Sequence, residues 1–157
     1  MIDIGFVSVD SDAVVASGNA IVTINGGSYN GGSGASNTAV WAKENATIII
    51  NDGIFTVGSD ANGDYNDLIY ARDNANIIIN GGLFESKVPW SINGKYYVLN
   101  VKNDSNAAIT VYGGTFINYN PADGDDVVEN AITVAEGCTV KSEIQDNGDI
   151  WYTVVSE

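Results

Sequence analysis

The chain of 157 residues contains no histidine, one cysteine, one methionine and one arginine. Without histidine it lacks the commonest general base and the commonest metal ligand. The lone Cys138 excludes a disulfide framework within the chain and reads as a small buried residue. Lysine and arginine number 6 against 20 aspartates and glutamates, for a net charge of −14. So acidic a surface does not seek nucleic acid or an anionic membrane. No apolar run is long enough to cross a membrane as a helix. No window of helical length carries the 3.6-residue apolar period. Met1-Ile2-Asp3 is acidic and no apolar segment follows it, so no secretory signal is expected.

What the chain does have is one phrase, used again and again. It reads Asn19-Ala20-Ile21-Val22-Thr23-Ile24-Asn25-Gly26-Gly27-Ser28-Tyr29. It returns from Asn45 to Phe55, from Asn74 to Phe84 and from Asn106 to Phe116. The opening asparagines stand 26, 29 and 32 positions apart. A period of that size marks a solenoid, in which each repeat stacks on its neighbour. The segment before each phrase repeats as well: Ala13-Val14-Val15-Ala16, Ala39-Val40-Trp41-Ala42, Leu68-Ile69-Tyr70-Ala71 and Tyr97-Val98-Leu99-Asn100-Val101. Ala131-Ile132-Thr133-Val134 reads as a further copy of that segment.

Each repeat then holds three short strands. One runs up to the Asn, one is the Ile-x-Ile run, and one starts at the aromatic residue after Gly-Gly. Three strands and three turns describe one coil of a parallel β-helix. The fold class is all-β, a single-stranded parallel β-helix of about five coils. The whole chain, 1–157, is one domain: an N-terminal cap over 1–12, coils over 13–140, and a C-terminal cap over 141–157. Asn147-Gly148-Asp149 is a hairpin turn and Ile150 to Val155 the returning strand, which makes the cap a β-hairpin.

Stacking at about 4.8 Å sets equivalent side chains in ladders. Expected inward ladders are Val14, Val40, Ile69, Leu99, Ile132 and Ala16, Ala42, Ala71, Val101, Val134. A third is Ile24, Ile50, Ile79, Val111. Asn19, Asn45, Asn74 and Asn106 form a turn ladder, with stacked amides and a left-handed backbone at the corner. Gly-Gly supplies positive φ at the next corner.

Candidate sites lie outside these ladders. Loops after the third strand carry Tyr65, Trp90, Tyr96 and Tyr119, aromatics beside Asp and Asn that suit a carbohydrate or protein contact; alternatively they shield the end of the core. Asp60, Asn62, Asp64 and Asp67 place oxygen ligands as calcium would need them, although the alternative is a solvated acidic turn. Trp41 and Tyr70 occupy equivalent outward positions and predict a short apolar stripe, flanked by Val15, Asn100 and Thr133. No catalytic residues, metal or cofactor are assigned.

The repeat resembles right-handed parallel β-helix proteins of the pectate-lyase-like type over roughly residues 10–140. A more specific resemblance runs through Gly113-Gly114-Thr115-Phe116-Ile117-Asn118-Tyr119-Asn120-Pro121, Val134-Ala135-Glu136-Gly137 and Trp151-Tyr152-Thr153-Val154-Val155. It is similar to the ending of virion surface proteins of tailed phages that infect gut bacteria, departing at Cys138, where tyrosine is expected. This resemblance implies a non-enzymatic structural protein of the virion: a head fibre, a capsid decoration or a tail-associated protein. Its partners would be other virion proteins and host glycan, its assembly a trimer of rods, and its place of synthesis the host cytoplasm. The same ending also resembles bacterial cell-surface repeat proteins. The alternative is therefore a carbohydrate-binding or adhesion module at a bacterial surface. A polysaccharide lyase or hydrolase is a third reading, with Arg72, Lys43 or Lys102 as base.

Overall fold

Short runs of Val, Ile, Thr, Phe and Tyr, broken by Asn, Asp and Gly, favour strands over helices. Strands make up most of the described residues, whose one helical segment is a short 3-10 turn at Pro121–Asp123. The computed structural model describes residues 6–8, 12–32, 37–58, 67–86, 98–124 and 130–157. A first sheet holds β2 (Val14–Ala16), β5 (Thr38–Ala42), β8 (Asp67–Ala71) and β11 (Leu99–Val101). A second holds β3 (Ile21–Ile24), β6 (Thr47–Ile50), β9 (Asn76–Ile79), β12 (Ala108–Val111) and β14 (Ile132–Val134). The third runs β1 (Phe6–Ser8), β4 (Ser28–Asn30), β7 (Ile54–Val57), β10 (Leu83–Ser86) and β13 (Gly114–Ile117). It ends on β16 (Ile150–Ser156) and β15 (Cys138–Ile144).

From β2 to β13 the chain visits the three sheets in turn and then starts again. Strands from successive visits pair in parallel. This topology is compatible with a parallel β-helix-like architecture. Like residues meet at each level. Val14, Val40, Ile69 and Leu99 stand in register, as do Ala16, Ala42, Ala71 and Val101. Ile24, Ile50, Ile79 and Val111 do the same on the second sheet. All twelve of these side chains are buried.

The third sheet contributes an aromatic column to the core. Tyr29, Phe55, Phe84 and Phe116 stack with centroids 5.1, 5.0 and 4.7 Å apart and planes within 11°. The in-register sheet imposes this geometry, because its strand spacing matches the offset stacking distance of two rings. The buried Tyr29 hydroxyl donates to the Gly26 carbonyl at 2.8 Å, so the one polar ring in the column is satisfied.

The corners show why Asn and Gly recur. Asn45 Nδ2 donates to Asn19 Oδ1, Asn74 to Asn45 and Asn106 to Asn74, at 3.3, 3.1 and 3.2 Å. The left-handed residue is not this Asn, however. Gly18, Glu44 and Asp73, each just before it, carry φ of 68°, 61° and 64°. Asn51 and Asn80 build a second amide column on Asn25, at 2.7 and 2.8 Å, which the sequence reading missed. Of the paired glycines, the second takes positive φ, +113° at Gly82. The first answers a different need: a Cβ on Gly81 would stand 2.5 Å from the Asn51 carbonyl oxygen of the level before.

Two expectations fail at the C-terminal end. Ile132 and Val134 do not extend the first-sheet ladders; they pair with Ile109 and Val111 on the second sheet. Among the described residues between β13 and β14, no strand joins the first sheet. Residues 121–123 form a 3-10 turn, capped by Asn120, whose side chain accepts from the Ala122 amide. Pro121 has no N–H to give a ladder, so this segment does not continue a sheet. Thr133 accordingly lies on Thr110 rather than beside Trp41 and Tyr70. The hairpin forms as expected, with its first strand beginning at Cys138 and its second laid antiparallel on β13. Cys138 is half-buried and points its thiol at the Tyr112 carbonyl, 3.5 Å away.

Candidate functional site

On the outer face of the first sheet, Val15, Trp41, Tyr70 and Asn100 form one row. The expected Trp41–Tyr70 pair exists, with centroids 6.1 Å apart, but both rings are half-buried rather than exposed. Lys43 Nζ and Arg72 Cζ lie 4.7 and 5.0 Å from the Trp41 ring centre, so its π-face is already engaged by cations. Lys43, Arg72 and Lys102 occupy equivalent levels, because their amides donate to Ala16, Ala42 and Ala71 in turn. The carboxylates beside them cap corners: Glu44 accepts from the Gly18 amide at 2.7 Å and Asp73 from the Glu44 amide at 3.0 Å.

Asp67 opens β8 and is 7% exposed. Burial pushes its carboxyl up to about 7, against the opposing effect of the Asn100 amide, which donates to Oδ1 at 2.9 Å. Burial, and then the Asp67 charge, also push the Tyr70 phenol up. A carboxyl so enclosed and already bonded is not a free calcium ligand. Its expected companions Asp60, Asn62 and Asp64 lie outside the described residues. Among the described residues, no group of three or more His, Cys, Asp or Glu is placed to hold a metal ion. Tyr65, Trp90 and Tyr96 also lie outside them. Tyr119 packs on the core, tilted against Phe116 at 6.2 Å, so it shields the core end rather than standing on an open edge.

A groove that the sequence reading missed lies on the third sheet. Alternation puts Phe84, Phe116 and Tyr152 inward, so Leu83, Glu85, Ile117, Trp151 and Glu143 face outward. The hairpin tip rises beside them and completes a groove of about 750 Å³. Leu83, Ile117, Ile144 and Trp151 give it an apolar floor; Glu143, Gln145 and Asp146 are polar lining. Ile144 is 75% exposed and Trp151 36%. At the tip, Asp149 is bound by the amides of Asn118 and Asn147, at 2.8 and 2.6 Å, which fixes the turn. A signal for the groove existed: Ile144, Ile150 and Trp151 are large apolar residues at the end of a polar hairpin.

No family model matches the chain, and neither a curated protein nor a solved structure matches it.

Proposed function

We propose that the chain is a right-handed, single-stranded parallel β-helix of about five coils, working as a non-enzymatic structural module. Right-handedness follows from the rule that parallel strands joined by crossovers take that hand almost without exception. In this reading the chain is a virion protein of a tailed phage: a head fibre, capsid decoration or tail-associated protein. It is made in the host cytoplasm and displays a stiff acidic surface toward other virion proteins and host glycan. The observation that carries the structural part is the stack of like side chains, Phe on Phe and Asn on Asn, along the parallel strands of three sheets. Such stacks resist bending and present residues at fixed intervals. The virion part rests on the resemblance of the Gly113–Pro121 and Trp151–Val155 segments.

We assign no catalysis. Arg72 and Lys43, the bases a lyase would use, stand over the Trp41 ring. Side-by-side packing of three copies would bring the Trp41–Tyr70 row to the contact. Replacing both by serine then lowers the mass measured by light scattering.

The test is mass spectrometry of DNA-containing particles sedimented from a culture that makes the chain. A fixed ratio to the major shell protein is expected. Absence from particles, with recovery from cell envelopes or medium, would favour an adhesion module of a bacterial surface protein instead.

A further inference from the structure

We infer that the groove between the third sheet and the hairpin tip binds an uncharged glycan, with Trp151 as the platform for a sugar ring. The assignment deepens the attachment part of the proposed function by naming its site and ligand class.

Trp41 and Trp151 make the case by contrast. Trp41 is covered by Lys43, Arg72 and Tyr70. Trp151 meets no aromatic ring and no cation among the described residues, and its ring borders the groove. An apolar ring left partly in water beside Ile117, Leu83 and a 75%-exposed Ile144 forms a contiguous apolar patch of the kind that marks a binding site. The groove's volume of about 750 Å³ falls within the range of small-ligand clefts, ~300–1,000 Å³.

Charge then selects the occupant. Glu85, Glu143, Asp146 and Asp149 line the groove, and no Lys or Arg does among the described residues. Lys141 stands one step along the same face, opposite Thr153. Glycans bearing carboxylate or sulfate are repelled by this lining and by the net charge of −14. An uncharged pyranose fits it. One face of the ring presents C–H groups that lie on an indole, and its rim presents hydroxyls that both donate and accept. Glu143, Gln145 and Asp146 make no side-chain hydrogen bond or ion pair among the described residues, so their acceptors and the Gln145 amide donor are open to such hydroxyls. A cationic peptide would use the carboxylates but has no need of the donor or the flat ring.

The experiment titrates the intact chain with neutral oligosaccharides of hexose and N-acetylhexosamine, with polygalacturonate and with oligolysine. Calorimetry and ligand-observed NMR read the binding. A neutral oligosaccharide should bind, Trp151→Ala should weaken it at least tenfold, and Glu143→Gln severalfold. Gln145→Ala and Ile144→Ser, both on the hairpin, serve if Trp151→Ala fails to melt cooperatively. Binding of polygalacturonate or oligolysine in preference, binding indifferent to Trp151, or no binding of any neutral sugar would each overturn the assignment. None of these outcomes touches the particle experiment, so the two readings fail separately.

Discussion

The stacked repeats and the C-terminal hairpin solve the same problem, covering apolar surface, by opposite means. In the core and corner ladders of the repeats, side chains lie on their own kind: Phe55 on Phe84, Asn45 on Asn74, Ile50 on Ile79. On the outward face of the hairpin beside the groove unlike residues meet, Ile117 with Trp151 and Trp151 with Glu143, although Val140 still faces Val154 and Ile144 faces Ile150. A residue inside a ladder is chosen by the residues above and below it. An outward residue of the hairpin has no copy of the phrase above it to match. The hairpin is therefore where composition is free to serve a ligand, and it is where the open tryptophan lies.

The comparison breaks most sharply in the aromatic column. Phe84→Ala removes a ring packed between Phe55 and Phe116 and should cost about 3–5 kcal/mol by chemical denaturation. Trp151→Ala, at a half-covered hairpin position, should cost well under half as much. Equal losses would mean that the hairpin is as interlocked as the repeats.

Asp67 sharpens it through pH. Its carboxyl titrates near 7 in the folded chain against an ordinary value of 3.8, so the folded state holds the proton more tightly. Its contribution to stability is fully present below about pH 4 and is lost as pH rises through about 7. The whole change is on the order of 4 kcal/mol. Asp67→Asn should flatten the melting temperature over that window and raise it above pH 7.

Gly81 gives a smaller break. Gly81→Ala forces a Cβ against the Asn51 carbonyl oxygen and should cost about 1–3 kcal/mol. Smaller again is Asn74→Ala, which removes the amide linking Asn45 and Asn106 at an exposed corner, for about 1 kcal/mol. Ile144→Ser, in the groove, should leave stability within about 0.5 kcal/mol.

Ladders were legible in the sequence because a stack repeats the same residue at the same phase. Val14 with Val40 and Ile24 with Ile50 needed only the phrase to be aligned. The error at Ile132 came from aligning it to the wrong strand. Its true partner was visible, since Ile132-Thr133-Val134 repeats Ile109-Thr110-Val111 letter for letter. The turn at Pro121, which follows the phrase, disguised the match. The left-handed residue of the corner was assigned to the Asn, one position too late, because Gly18, Glu44 and Asp73 share no side-chain type, only a backbone angle. Burial of Asp67 and the groove at Trp151 were illegible for another reason. Both depend on pairing across more than 30 residues, Asp67 with Asn100 and Ile117 with Trp151, and neither pairing belongs to the phrase.

The amide and aromatic columns carry one more consequence, for how such a chain changes over generations. Each column is satisfied by an identical neighbour on either side. A whole repeat gained or lost by duplication or deletion therefore leaves every remaining contact as it was, while a single inserted residue inside the phrase shifts every later one off its partner. Length is then inherited in steps of about 4.8 Å, and whatever the hairpin holds can be moved nearer to or farther from the opposite end without redesigning either.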